Sequence, residues 1–372
     1  MSELKSIYSC ILDALDENGE LPSAFSLPRE SDEDGWFSMM WEDGAQDGVA
    51  IYHVMWEGSS KETLADFDTA LKMASAGDFD AAEAALQRAG KRDGAYNSGL
   101  DLQQSFDQKS HADEVEAYMI LTFAMHLLID SHDRECVKYG IYLIGMFDHV
   151  QKSRSLRSVL GVLARSDEFT YYAAAVVCNW PGGNEMVFDF AQHVHGWGRI
   201  HCVSCLEPET EEIRKWLLTE GYHNHVLEQY SARTCFVKYG AEQLAREAMT
   251  PEEFTAVGNI LSVMVCEDGP FPGLGGMEEP YKFLSDWLDR AEEMPLGLRD
   301  YQNLLTLSAY CRSSKGTLSE DYSSEEDKAF RLWFGVRFDM LLNTQAARGK
   351  VKAALAQGDD SVIPMAKYLQ IR

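Results

Sequence analysis

Apolar positions along this chain recur at intervals of three and four almost from end to end. Residues 2–16 place Leu4, Ile7, Tyr8, Ile11, Leu12 and Leu15 on one face, the spacing of an amphipathic helix. Leu64, Phe67, Ala70, Leu71 and Ala74 repeat it, Gly77-Asp78 stops it, and Ala81–Ala89 begins a second helix. Further on, stripes start at Val137, Phe169, Trp197 and Leu227, separated by 32, 28 and 30 residues. A second amphipathic segment lies between each neighbouring pair: Ser155–Leu163, Met186–Val194 and Ile213–Leu218. A helix pair every ~30 residues predicts an array in which no pair buries its apolar face alone but stacked neighbours do.

Turn chemistry agrees with this rhythm. Thr250-Pro251-Glu252-Glu253 spells a capping box with proline at the first helical position. Glu207-Pro208 is expected to do the same before Ile213, and Gly221 and Gly240 sit where helix C-caps are expected. Residues Lys91–His111 are more polar and read as a connection with one short helix. GPFPGLGGMEEP at Gly269–Pro280 is a break, after which Tyr281–Ala291, Leu298–Cys311, Lys328–Leu342 and Gly349–Ala356 read as helices. The only stretch with a strand-like pattern lies near the N-terminus, where Trp36–Trp41 and Val49–Trp56 flank Asp47-Gly48 as a short β-hairpin would. The expected fold is all-α, an α–α superhelix with a small acidic N-terminal region and room in it for that hairpin. Three parts follow: the N-terminal region 1–61, repeats over 62–268, and a C-terminal helical region over 281–372 that continues or caps the array.

Charge narrows the partners. The 372 residues hold 33 basic and 60 acidic side chains, a net charge of −27. The first 60 residues carry thirteen of the acids against two bases, Lys5 and Arg29. This sign disfavours nucleic acid, whose binding needs clustered Lys and Arg, and anionic lipid for the same reason. The apolar runs Ala117–Met125 and Tyr171–Cys178 fall short of the ~18 residues that span a bilayer. Acidic residues interrupt the first helix, so no export signal is read there, and the expected location is the cytoplasm.

The densest candidate chemistry is His193–Leu218, HVHGWGRIHCVSCLEPETEEIRKWLL. His193, His195, His201, Cys202 and Cys205 are residue types that ligate zinc. However, Cys202 and Cys205 fall one turn apart inside a predicted helix, with no second Cys-x-x-Cys to complete a set. The stripe gives them packing roles, and neither a metal nor any other cofactor is expected. Gly273-Leu274-Gly275-Gly276 lacks the lysine of a phosphate loop, and no Gly-x-Ser-x-Gly occurs. Gly196 and Gly198 flank Trp197 and permit close backbone approach. Together with His195, Arg199, His201, Glu207 and Arg233, Trp197 reads as a ridge for contacting a partner.

The blocks HGWGRIHCVSCLEPETEEIRKWLL, LEQYSARTCFVKYG, LPSAFSLP and DGVAIYHV resemble a family of bacterial HEAT-like, armadillo-type α-solenoid proteins across most of the chain. Some members of that family carry the label limonene hydroxylase. The resemblance implies the superhelical fold and supplies no catalytic residues. The functional expectation is a non-catalytic protein-interaction module whose concave face holds a protein partner, a basic one given the charge. Two alternatives stay open. One is an enzyme, hydrolase or oxygenase, using the His/Cys cluster; the other is a HEAT-like DNA glycosylase, which the acidity disfavours.

Overall fold

The computed structural model describes residues 5–28, 41–54, 58–246, 248–266, 273–312 and 325–371. It is all-α: among the described residues no strand occurs. Two compact units divide the chain, Met1–Leu206 and Glu207–Arg372. This boundary differs from the break at Gly269–Pro280 suggested by composition, because the chain runs on from Pro280 into a helix that packs within the second unit.

The first unit begins with α1 (Ile7–Ala14) and α2 (Ala45–His53). Stacked pairs follow: α3 (Lys61–Ser75) with α4 (Phe79–His111), and α5 (Ala117–Asp130) with α6 (Arg134–Ile144). Next come α7 (Arg154–Leu163) with α8 (Asp167–Val177), and α9 (Gly183–His193) with α10 (Trp197–Cys205). The even-numbered helices pack in sequence, α4 on α6, α6 on α8 and α8 on α10, forming one row. The stacking is that of an α-solenoid. α1 lies against α5 and α7, burying Ile7 and Ile11.

Local signals place most of these ends. Ser6, Ser60, Asp78, Asp133, Ser153 and Ser166 each accept a backbone N–H from the first turn they cap. The polar stretch 91–111, expected as a connection with one short helix, is helical over most of its length and forms the second half of α4. Gly94, at φ +72° and ψ 151°, is not helical, and it divides α4 into two helical runs. The kink exposes the Ala95 N–H, which donates to Glu135 Oε2 at 2.5 Å, so the break is satisfied from the neighbouring helix.

The second unit contains α11 (Glu211–Thr219), α12 (Gln229–Cys235), α13 (Ala241–Ala245), α14 (Pro251–Met264) and α15 (Pro280–Glu293). It ends in α16 (Leu298–Arg312), α17 (Glu325–Leu342), α18 (Gln345–Ala356) and α19 (Ile363–Tyr368). Stacking again alternates, α12–α14–α16–α18 on one side and α13–α15–α17 on the other. The capping box at Thr250 forms as its sequence predicts. Thr210, rather than the Glu207-Pro208 pair, caps α11. Gly240 ends no helix: it lies in a wide turn, Phe236–Gly240, that runs directly into α13. A Cβ there would fall 2.8 Å from the Phe236 ring, which accounts for the glycine.

Residues 49–53, read as strand, are the second half of α2, and residues 36–40 of the proposed hairpin lie outside the described residues. Asp47-Gly48 is therefore not a turn. Asp47 sits in the first turn of α2, and Gly48 is where that helix meets Trp197: a Cβ on Gly48 would lie 2.2 Å from the indole. Tertiary contact, not turn geometry, is the reason for the glycine.

Candidate functional site

The even row of the first unit holds a buried network of charge, and α2 closes over it. Lys138, on α6, is 2% exposed. Its Nζ lies 2.7 Å from Asp47 of α2, 2.8 Å from Glu135 one turn back, and 2.7 Å from Glu168 of α8. Burial alone would push the ammonium down in pKa. The three carboxylates outweigh it and hold Lys138 well above its ordinary value. Burial likewise works against ionised Glu168, but Lys138, the Gly44 N–H at 2.8 Å and Arg134 prevail and keep it below the usual carboxylate range. Burial raises Glu135, and Asp47 adds to this.

Arg134 extends the network. Its Nη1 sits 2.9 Å from Asp43 and its Nη2 donates to the Leu27 carbonyl, so the segments before α2 are tied to α6. Asp47 also accepts from the Tyr172 hydroxyl at 2.8 Å. Gly44 precedes α2 at φ +76°, and a Cβ there would fall 2.4 Å from the Asp167 carbonyl oxygen. The chain thus approaches α8 backbone to backbone at a conformation that favours glycine. Each of these contacts joins the N-terminal segment to residues roughly 100 positions away.

The far end of α2 rests on α10. Tyr52 stacks on His201 with ring centroids 5.9 Å apart, and lies 5.9 Å from the Trp197 ring. Tyr171 of α8 meets His201 edge-on at 4.9 Å. Enclosed by these rings, His201 is 4% exposed, and burial pushes its pKa down to about 3, so the imidazole is neutral. Below it, Asp167 at the start of α8 accepts the Gly198 N–H at 2.5 Å and is also hydrogen-bonded by the Gly196 backbone. The two glycines aim the first N–H groups of α10 at this carboxylate, a helix N-terminus meeting an anion. Burial nonetheless raises Asp167 to about 6.

The ridge predicted from sequence is therefore largely an interior. Trp197 is 7% and Arg199 9% exposed; the Arg199 Nε donates to the Val194 carbonyl at 2.8 Å. His195 is half-buried. Glu207 and Arg233 belong to the second unit, where Glu207 pairs with Lys238 at 3.2 Å and Arg233 donates to the Gly276 carbonyl. Of the residues weighed as metal ligands, His193 bonds the Asp189 carbonyl through Nδ1 on α9, while His201 faces aromatic rings. Cys202 is fully buried, which pushes its thiol well up. Cys205, three residues on, is partly buried. Among the described residues no three His, Cys, Asp or Glu side chains converge as a metal set.

Sequence reasoning missed Lys138, Glu135, Glu168, Asp47 and Arg134. No local signal marked the cluster: Arg134, Glu135 and Lys138 fall on one face of α6, three and four residues apart, as an exposed polar face would.

Comparison with protein-family models, curated proteins and solved structures returned no match.

Proposed function

We propose that this protein is a non-catalytic binding module whose even helix row receives a helical segment of a partner protein. One observation carries the reading. That row already holds a helix: α2 reaches it by a long excursion of the chain and is fixed there by Asp47 on Lys138, Gly48 on Trp197 and Tyr52 on His201. The row thus seats a helix by close-packed aromatic contact, as grooves that recognise helices do, with the Asp47–Lys138 pair beside it. In this reading α2 is the resident occupant, and a partner segment replaces it. The HEAT-like resemblance supports the same use of the fold. The net charge of −27 favours a basic partner, drawn in by the field of the whole chain.

The test is affinity capture from the host's cytoplasmic extract, with the intact chain compared with a variant whose residues 42–54 are replaced by a Gly/Ser linker of equal length. Competition by α2 predicts that the variant captures the partner about tenfold more tightly. Capture that is unchanged in the variant, and unchanged again by Tyr171→Ala, removes the even row as the binding surface.

A further inference from the structure

Beside α2, the helices α4, α6 and α8 enclose a cleft of about 320 Å³, within the range that small ligands occupy. Four tyrosines dominate its walls: Tyr96 from α4, Tyr142 from α6, and Tyr171 and Tyr172 from α8. Their rings meet at steep angles. Tyr96 and Tyr171 are 6.1 Å apart at 64°, Tyr171 and Tyr172 5.1 Å at 80°, and Tyr142 and Tyr172 5.5 Å at 77°. Leu100, 59% exposed, stands on the α4 side. The one amide in the lining, Gln103, spends a hydrogen bond on the Tyr142 carbonyl at 2.6 Å. The cleft is shaped by close packing: a Cβ on Gly99 would lie 2.0 Å from the Tyr142 ring, and one on Gly145 3.2 Å from Val176.

The electrostatics of this cleft have one sign. Asp47 and Glu135 stand behind it and outnumber the one cation they share, Lys138. The phenols stay neutral. Burial, followed by neighbouring groups that include Asp47, raises Tyr96 and Tyr142 and takes Tyr171 up to about 12. Tyr172 already performs the relevant chemistry, since the Lys138 ammonium lies 5.5 Å from its ring centroid. Mutually tilted aromatic rings around a cavity, backed by excess negative charge, are how proteins hold weakly hydrated organic cations.

We propose that the tyrosine cleft between α4, α6 and α8 binds a methylated ammonium group. The inference does not depend on a protein partner or on displacement of α2. Such a group has two sources, a free quaternary ammonium compound or a trimethylated lysine side chain.

Isothermal titration of the full-length protein distinguishes them. One arm uses choline against 3,3-dimethylbutan-1-ol, which has the same shape with carbon in place of the charged nitrogen. The other uses a short peptide carrying trimethyl-lysine against its unmodified form. The cation is expected to bind at least about tenfold more tightly than its neutral or unmethylated counterpart in one arm or both. The stronger arm names the source. Tyr96→Phe keeps the ring and is expected to hold affinity within about twofold, whereas Tyr96→Leu loses about tenfold. Equal affinity for choline and the neutral alcohol, or no binding in either arm at about 10 mM, overturns the proposal without reference to any variant's folding. Unchanged cation affinity in Tyr96→Leu overturns it as well.

Discussion

At the scale of single residues, the first unit depends on charges buried in pairs. Lys138 offsets three carboxylates at once, so removing it strands Asp47, Glu135 and Glu168 in a low-dielectric interior. Lys138→Met is expected to cost about 3–5 kcal/mol, the range for breaking a buried ion pair from one side. Chemical denaturation monitored by far-UV circular dichroism measures it, and a loss below ~1 kcal/mol would mean the network is solvated. His201 and Asp167 make a second prediction, with opposite signs. His201 has a folded pKa of about 3, below its ordinary 6.5. Its contribution is therefore present above pH 6.5 and is lost as pH falls toward 3. Asp167 has a folded pKa of about 6, above its ordinary 3.8. Its contribution is present below pH 3.8 and lost as pH rises through 6. Between about pH 4 and 6 the two slopes oppose each other. His201→Gln should leave stability rising on acidification through pH 6, and Asp167→Asn should leave it falling. Parallel pH profiles for the two variants would contradict the assignment.

At the scale of elements, α2 is the informative case. By pattern it looked like half a hairpin, since Val49–Trp56 is rich in β-branched and aromatic residues. It is a helix because the even row supplies what its nine residues alone do not, a partner for Asp47 and a flat indole under Gly48. A helix this short is marginal in water without tertiary contact. Gly48→Ala places a methyl inside the Trp197 ring and is expected to lift α2 off α10 at a cost of about 1–3 kcal/mol. Hydrogen exchange is the direct readout, with amides of residues 45–53 losing protection while those of α6 keep theirs. Retained protection across 45–53 would show that α2 is held by its charges alone. Most other elements were legible from sequence. α3, α8, α10 and α14 begin within a few residues of where their stripes begin, because apolar period and cap are local properties. The length of helix after Gly94 was not legible: Gly94 breaks α4 locally, and the freed Ala95 N–H is satisfied by Glu135 of another helix.

At the scale of the whole molecule, the proposed recognition of a partner takes place in the field of a chain of net charge −27. Steering by that charge predicts that capture of a basic partner weakens as ionic strength rises through ~0.15 M, where the Debye length is about 8 Å. Capture indifferent to salt would argue for an apolar docking surface in its place.

The amino-acid sequence by itself determined that this chain is helical, that its helices come in stacked pairs, and where most of them begin. Those properties are written in residues three to four apart. Tertiary structure alone decided that Trp197 and His201 face inward beneath α2, that Arg199 is buried, and that Asp47 meets Lys138 and Tyr172. The physical reason is range. Whether a polar side chain is exposed or buried with a partner depends on contacts across more than a hundred residues, such as Asp47 to Tyr172, and no local periodicity records them.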